Sequence, residues 1–231
     1  MPKVSCVMPC RNRQEIIAES IKSILDQTYD DFELVVVDDH SDPIDKTESV
    51  IEEFNDDRIK YFKLSDENGI GISSARNFGN MVSTGELIAV ADSDDICYPN
   101  RFQRSVDEFE KSNCDIVYSM IDVWDPKTKD ITKRDKNDCA RDFDIEEFMK
   151  TDFIPHPTVM YKRSIVLDSP YNSFFRRSED YDLLIRFFKH GYKFSFIPES
   201  LVKYRVHENQ ITKALKSIFD YSKIARKNYN K

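Results

Sequence analysis

The sequence predicts an α/β fold in which helices flank a mostly parallel sheet. Short apolar runs alternate along the chain with segments whose apolar residues recur at helical spacing. Continuous apolar runs are typical of strands buried on both faces, and strand–helix alternation is typical of parallel sheets. Two of these runs stop abruptly at clusters of aspartate, which is where an open parallel sheet places its ligands.

The first half of the chain carries this alternation in order. Strands are predicted over residues 4–8, 32–37, 59–63 and 87–91, where short runs are rich in aliphatic and aromatic residues. Two helices between them are indicated by apolar residues that share one face: Ile16, Ile17, Ile21, Ile24 and Leu25 in the first, and Val50, Ile51 and Phe54 in the second. A glycine loop at residues 68–71 precedes a third helix that ends near Gly85.

The second half of the chain is less regular. A helix over residues 101–111 and a strand over 115–121 are followed by a polar segment, 126–141, which we expect to be a mobile loop or insertion. Beyond it we expect helices near 145–149 and 181–190, a strand near 158–161, and separate strands before and after Pro198. The tail, 212–231, predicts a helix with Leu215, Ile218 and Phe219 on one side and with six basic residues against one acidic residue.

Composition excludes several classes of protein. A net charge of -8 over 231 residues gives no basic face for nucleic acid, so we expect no nucleic-acid partner. No apolar run approaches the ~20 residues of a membrane span, and the first residues do not resemble a signal peptide. The five cysteines are scattered without CxxC spacing, which favours buried thiols and a cytoplasmic location.

Carboxylates follow two of the predicted strands. Asp38 and Asp39 come after the second strand, and Asp92, Asp94 and Asp95 come after the strand over residues 87–91. If these strands are neighbours, five carboxylates converge on one crevice, where their mutual repulsion calls for a cation. A hard divalent metal with oxygen ligands is the natural candidate, although isolated aspartates also cap helices and form turns.

Six segments, taken in order, resemble the inverting glycosyltransferases of family 2, which have the GT-A fold, including the spore-coat and polysaccharide-synthesis types. These segments are residues 4–13, 27–41, 68–77, 92–95, 178–183 and 204–207. The resemblance runs from Lys3 to about His207 and is poor over 122–152. The chain departs from the family at Arg11, where Tyr is frequent, and at His40, where Gly is frequent.

The resemblance implies a role for each of these segments. Asp180 would be the general base of a single displacement with inversion, and Asp94 and His207 would bind Mn²⁺ or Mg²⁺. The nucleotide-sugar donor, by default a UDP-sugar, would be bound by Pro9, Arg11, Asp39, Gly69, Arg76, Asp92 and Ser93. His156 and Glu179 would lie on the acceptor side. The acidic pair Glu179-Asp180 also suits the first turn of a helix, because the helix dipole favours negative charge there.

The resemblance also implies the organisation of the chain. We expect a single Rossmann-like GT-A domain over 1–231, with a nucleotide-binding half (1–121), a smaller acceptor-side half (122–210) and a basic C-terminal helix (211–231). The acceptor would be a glycan or a lipid-linked glycan in surface polysaccharide synthesis. We expect the basic helix to pack on the domain; alternatively it lies on an anionic membrane, which would make the enzyme peripheral at the inner face.

Other functions stay open on the sequence alone. A nucleotide-sugar-binding module without turnover would keep the same motifs. A sugar-phosphate nucleotidyltransferase would need a glycine-rich loop after the first strand, but residues 9–13 contain no glycine. A receiver-type signalling domain also ends a strand in paired acids, but it is much shorter and leaves residues 178–183 and 204–207 unexplained.

Overall fold

The computed structural model describes residues 1–65, 71–133, 141–175, 177–206 and 221–229. Within these residues nine strands form one sheet. In chain order the strands are β1 (Val4–Cys10), β2 (Phe32–Asp38), β3 (Ile59–Lys63), β4 (Leu87–Val90), β5 (Ile96–Cys97), β6 (Ile116–Trp124), β7 (Ile131–Lys133), β8 (Met160–Lys162) and β9 (Phe194–Arg205). The helices are α1 (Ile17–Leu25), α2 (Thr47–Glu52), α3 (Ile72–Val82), α4 (Arg101–Ser112), α5 (Ile145–Lys150), α6 (Arg163–Asp168), α7 (Glu179–Lys189) and α8 (Tyr221–Tyr229).

The first half of the chain forms a parallel sheet. β1 pairs in parallel with both β2 and β4, and β2 pairs in parallel with β3. All residues of β1 and β2 are buried, which explains why both strands are almost continuously apolar. Helix α3 approaches this sheet closely, because a Cβ on Gly79 would collide with the side chain of Val7. The predicted α/β fold class is therefore confirmed.

The second half extends the sheet in mixed directions, in the order β3-β2-β1-β4-β8-β6-β9-β5. Strand β8 is antiparallel to both β4 and β6, whereas β6 and β9 run parallel. The short strand β5, which follows β4, pairs antiparallel with the end of β9, although more than a hundred residues separate the paired positions in the chain. The carboxyl ends of β1, β2 and β4 lie at one edge of the sheet, where ligands bind in such folds.

Two segments differ in secondary structure from what the sequence predicts. The segment 126–141 contains strand β7, which pairs antiparallel with β6 from Asp122–Lys133 to Trp124–Ile131; residues 134–140 lie outside the described residues. Residues on both sides of Pro198 belong to one strand, β9, rather than two. The pairing of β9 with β6 skips from Ile197 to Ser200, and this irregularity accommodates a proline that cannot donate to the ladder.

The described part of the basic tail, α8, packs against the domain. Ala225 is buried, and Nε of Arg226 donates to the hydroxyl of Tyr181 at 3.1 Å. The ring of Tyr229 lies 6.3 Å from that of Phe188 on α7. The predicted apolar residues Leu215, Ile218 and Phe219 lie outside the described residues. In the part of the chain that the structure describes, no helix combines the length and the apolar character required to cross a bilayer.

Four cysteines are buried free thiols: Cys6, Cys10, Cys97 and Cys114. Burial raises the pKa of the Cys6 and Cys10 thiols well above its usual range, so both stay protonated at neutral pH. This agrees with the expectation that the cysteines serve as small apolar residues. The fifth, Cys139, lies outside the described residues.

Candidate active site

The end of β2 is joined to the beginning of α3 by the carboxylate of Asp39. The backbone N–H of Gly71 donates to both oxygens of this carboxylate, at 2.8 and 3.1 Å. Gly71 has a φ of 130°, which L side chains rarely adopt, so glycine is needed at this contact. Burial raises the pKa of Asp39, whereas the contact with Gly71 and the charge of Arg11 act in the opposite direction.

Other residues of the predicted nucleotide site lie at or near the ends of β1 and β2. Pro9 is buried in β1, where it pairs with Val37, and Arg11 follows β1 on the exposed surface. His40, at the position where the family frequently has glycine, has a left-handed φ of 59°. This conformation explains the family preference, because glycine adopts it without strain. Gly69 lies outside the described residues.

The five aspartates do not form one cluster. The side chain of Asp38 is fully buried, and it accepts from the hydroxyl of Tyr61 at 2.9 Å and from the N–H of Ser41 at 2.7 Å. Its oxygens are thereby satisfied within the fold, and Asp39 is held by Gly71. The expectation of five converging carboxylates is therefore wrong, because hydrogen bonds at the end of β2 hold two of them.

The other three carboxylates, those of Asp92, Asp94 and Asp95, do converge. One oxygen from each lies within 4.8 Å of the others. Asp95 accepts from the N–H of Arg205 at 2.9 Å through one oxygen, while the other oxygen is buried and has no hydrogen-bond partner among the described residues. Burial, followed by the charges of Asp92 and Asp94, raises the pKa of Asp95 well above its usual range.

This cluster fits a hard divalent cation. Three carboxylates offer oxygen ligands at close range, and the unsatisfied oxygen of Asp95 is costly unless a cation or proton joins it. The predicted ligand Asp94 is a member, and Arg13 lies 3.7 Å from its carboxylate. Ser93, a predicted nucleotide-sugar-binding residue, is buried, and its carbonyl accepts from the hydroxyl of Ser20 on α1 at 3.0 Å. The second predicted ligand, His207, lies outside the described residues.

Arg205 supports this cluster in a way that sequence reasoning missed. Its Nε donates to the carbonyl of Asp94 at 2.6 Å, and a terminal nitrogen donates to Glu19 at 2.6 Å. Its guanidinium also lies 4.6 Å from the centre of the Trp124 ring. The segment 204–207 resembled a family motif, but only the folded chain shows that its arginine holds the loop at residues 92–95.

Arg76 joins the acidic cluster to α7. One terminal nitrogen donates to Asp92 at 2.9 Å, and the other donates to Glu179 at 2.5 Å. The side chain is almost completely buried, which alone would lower the pKa of Arg76, but the charges of Asp92 and Glu179 raise it above its usual range. Both predicted residues are therefore held within the fold, Arg76 between two acids and Glu179 at the first turn of α7.

Asp180 lies beside Glu179 in the same turn. Ser178, at the N-terminal boundary of α7, has a left-handed φ of 56°, and one oxygen of Asp180 accepts from the N–H of Tyr181 at 2.8 Å. Burial raises the pKa of Asp180 well above its usual range, and the negative charges of Glu179 and Asp152 act in the same direction. A carboxylate of raised pKa is a stronger base than an ordinary aspartate.

His156 lies behind Arg76 and is buried. Its Nε2 is 2.8 Å from the hydroxyl of Tyr171, and the centre of the Tyr171 ring is 5.5 Å from the Arg76 guanidinium. Its Nδ1 is buried without a partner among the described residues. Burial, and then the positive charge of Arg76, lowers the pKa of His156 well below its usual range, so the ring is neutral.

Comparison with known proteins identifies the family of this chain. A family model described as Glycosyl transferase family 2 matches residues 5–183. An uncharacterised glycosyltransferase of Methanocaldococcus jannaschii is 32% identical over 208 residues, which are 89% of this chain and 71% of that protein. The UDP-Glc:alpha-D-GlcNAc-diphosphoundecaprenol beta-1,3-glucosyltransferase WfgD of Escherichia coli is 38% identical over 120 residues, 52% of this chain and 46% of its own.

A similar fold is found in TarS of Staphylococcus aureus, in a crystal structure of its residues 1–349 with UDP-GlcNAc. The TM-score is 0.76 at 19% identity, and the match covers 92% of this chain and 61% of the TarS chain. At this identity the likeness concerns the fold, a mostly parallel sheet flanked by helices. The family match, which spans most of the chain, and the named relatives give the same answer. The chain therefore belongs to family 2 of the glycosyltransferases, is a transferase, and has the GT-A fold.

Proposed function

We propose that this chain transfers a sugar, with inversion, from a UDP-sugar to an acceptor hydroxyl, and that it requires a divalent metal for this reaction. The observation that carries the proposal is the connection between two acidic sites. Asp92, Asp94 and Asp95 form the first site, and Arg76 joins it to Glu179, the neighbour of Asp180. The first site, with a bound metal, would take the donor diphosphate, and the second would take the acceptor hydroxyl.

Asp94, with Asp92 and Asp95, is the set that would hold Mn²⁺ or Mg²⁺. Such a metal offsets the negative charge of a diphosphate and thereby stabilises it as a leaving group. Asp39, whose carboxylate is oriented by Gly71, would recognise the nucleotide base. The same pocket includes Pro9 and the exposed cation of Arg11.

Asp180 is the proposed general base. Its carboxylate would accept the proton of the acceptor hydroxyl while the hydroxyl oxygen attacks the anomeric carbon on the face opposite the diphosphate. Because burial and neighbouring acids raise its pKa, the group is well matched to this proton transfer. General-base assistance of this kind typically accelerates a reaction by ~10²- to 10⁴-fold.

The names of the similar proteins support the choice of donor and acceptor class. TarS was crystallised with UDP-GlcNAc and also with UDP, and the name of WfgD specifies UDP-glucose and a diphosphoundecaprenol-linked sugar. We therefore propose a lipid-linked glycan acceptor and a role in surface polysaccharide synthesis. Such an acceptor would bring the enzyme to the cytoplasmic face of a membrane, where the exposed Lys223 and Lys227 of α8 carry positive charge.

We propose that the two halves of the chain bind different substrates, with the donor on residues 1–121 and the acceptor on residues 122–210. Residues 1–121 supply β1, β2, α3 and the acidic loop after β4, and residues 122–210 supply α7 with Asp180. Both parts share one continuous sheet, which favours a single domain.

Transfer itself tests this function. The purified protein is incubated with Mn²⁺, UDP-glucose or UDP-N-acetylglucosamine, and an undecaprenyl-diphosphate-linked sugar, and the released UDP and the product are measured. We expect a new glycosidic bond of inverted anomeric configuration by NMR, and loss of transfer in Asp180→Asn with retained UDP binding. A product of retained configuration, or undiminished transfer by Asp180→Asn, would contradict the mechanism.

A further inference from the structure

The side chain of Arg76 hydrogen-bonds both acidic sites. We use the term Arg76 bridge for Asp92, Arg76 and Glu179. In this bridge two separate terminal nitrogens of one guanidinium bind two carboxylates, at 2.9 and 2.5 Å. Arg76 and Glu179 are 103 residues apart in the chain. The bridge therefore connects the metal side of the site to the first turn of α7.

The environment of the Arg76 bridge makes each charge in it depend on the others. The side chains of Arg76 and Glu179 are 5% and 9% exposed, so water compensates neither charge effectively. The Tyr171 ring, whose centre is 5.5 Å from the Arg76 guanidinium, and the neutral His156 add no charge. The positive charge of Arg76 is therefore divided between Asp92 and Glu179, and a change in one carboxylate alters how strongly Arg76 binds the other.

We propose that Glu179 is a positioning residue that controls the cation affinity of the Asp92–Asp94–Asp95 cluster through Arg76. While Glu179 holds part of the Arg76 charge, Asp92 keeps enough negative charge to attract a divalent cation. When glutamine replaces Glu179, the guanidinium of Arg76 pairs with Asp92 alone. The cation then competes with Arg76 for the same carboxylate. This inference rests on the proposed function, because it assumes that the cluster binds the metal of the transfer reaction.

Helix α7 contains a closely matched control. Asp182 is also buried, and it also pairs with an arginine, accepting from Nε of Arg186 at 2.8 Å. Arg186 continues to the carbonyl of Pro170 at 2.8 Å and to the hydroxyl of Ser169, not to the acidic cluster. Substitutions Glu179→Gln and Asp182→Asn thus remove the same charge from the same helix and break the same kind of pair. Only the first affects the Arg76 bridge.

The experiment measures Mn²⁺ affinity by calorimetry, without nucleotide, together with the melting temperature. We expect Glu179→Gln to weaken Mn²⁺ binding by about 5- to 50-fold, which lies within the usual range for coupling between sites. Asp182→Asn and Asp180→Asn are expected to stay within about twofold of the wild type, because neither breaks the bridge. Both Glu179→Gln and Asp182→Asn are expected to melt at lower temperature, since the first leaves the buried Arg76 and the second the half-buried Arg186 short of a partner.

A double variant adds a rescue. The double variant Arg76→Gln/Glu179→Gln lacks the guanidinium that competes with Mn²⁺ for Asp92. Its Mn²⁺ affinity is therefore expected to return to at least the wild-type value. If Glu179→Gln melts at lower temperature but binds Mn²⁺ normally, Glu179 is merely structural and the inference is overturned. Equal weakening in Asp180→Asn or Asp182→Asn also overturns it, because the effect then reflects overall charge.

The wild-type measurement separates this inference from the proposed function. If the wild type binds Mn²⁺ but neither binds UDP nor transfers sugar, the proposed function fails, and the variants still decide whether the bridge controls the cluster. If the wild type binds no Mn²⁺, the bridge has no cation site to control and the inference is overturned. The proposed function and the inference are both supported if the wild type binds Mn²⁺ and UDP and if, among the single variants, only Glu179→Gln weakens Mn²⁺ binding.

Discussion

The backbone amide of Gly71 donates to both carboxylate oxygens of Asp39, at 2.8 and 3.1 Å. This contact fixes the entrance of α3 against the end of β2, and α3 then carries Arg76 towards the acidic cluster. We propose that the same carboxylate binds the nucleotide base, whereas the neighbouring Asp38 is engaged within the fold by Tyr61 and Ser41.

Substitution at these two neighbouring positions should have different effects. Asp39→Asn is expected to weaken UDP binding by roughly 10-fold, because an amide in place of the carboxylate changes both the contact with Gly71 and the contact with the base. Asp38→Asn is expected to lower the free energy of unfolding by about 1–3 kcal/mol while UDP affinity stays unchanged. Calorimetry and urea unfolding of both variants measure these effects. Equal UDP affinity in Asp39→Asn and wild type would remove Asp39 from the pocket.

The neutral state of His156 predicts a pH dependence of stability. Burial lowers its pKa in the folded protein, so below the unfolded-state pKa of ~6.5 the unfolded chain binds the additional proton. The stabilisation from His156 is present above that pH and is lost as the pH falls, at up to ~1.4 kcal/mol per pH unit. The free energy of unfolding of the wild type relative to His156→Gln should therefore fall between pH 7.5 and 5.5. A difference that does not change over this range would show that His156 titrates normally.

The raised pKa of Asp180 predicts the acidic limb of the activity profile. A general base must be deprotonated, so kcat/KM should fall as the pH decreases through the raised pKa of Asp180, above the ordinary aspartate value of ~3.9. Asp180→Asn should reduce kcat by ~10²- to 10⁴-fold without a matching loss of UDP affinity. Transfer rates measured between pH 4 and 8 test this prediction. A rate that stays constant down to pH 4 would exclude Asp180 as the base.

Arg205 is expected to influence Mn²⁺ affinity although its side chain has no oxygen that could bind the metal. Arg205→Lys keeps the positive charge but cannot reproduce both the contact with the Asp94 carbonyl and that with Glu19. We expect Mn²⁺ affinity to fall by about fivefold, a modest coupling energy, because the loop at residues 92–95 loses one of its anchors. Glu19→Gln is the control, and it should change Mn²⁺ affinity by less than about twofold, since Glu19 is exposed. The opposite ranking of these two variants would contradict the assigned role.

The sequence was informative where local pattern and structure coincide. The apolar runs of β1, β2 and β4 and the aspartates that follow them predict the parallel half of the sheet and the location of the acidic loop. The acidic pair Glu179-Asp180 predicts the first turn of α7, because the helix dipole and the turn chemistry act within a few residues.

What the sequence did not predict depends on contacts between distant residues. Arg76 meets Glu179 across 103 residues, and the N–H of Arg205 meets Asp95 across 110. Likewise, β7 has three exposed residues and is a strand only because β6 provides its partner. Asp38 is engaged by a hydrogen bond from the hydroxyl of Tyr61 on β3 and not by the acidic cluster. No pattern within residues 32–42 indicates this contact.

The central claim is that the acidic cluster binds a nucleotide diphosphate through a divalent metal. Calorimetric titration of UDP, GDP and dTDP, each with and without Mn²⁺, into the wild type and Asp94→Ala tests it most directly. The account predicts that UDP binds the wild type only with Mn²⁺ and that Asp94→Ala loses this binding while keeping the wild-type melting temperature in the absence of metal. Binding of no nucleotide in either condition, or UDP binding by Asp94→Ala as tight as by the wild type, would contradict it.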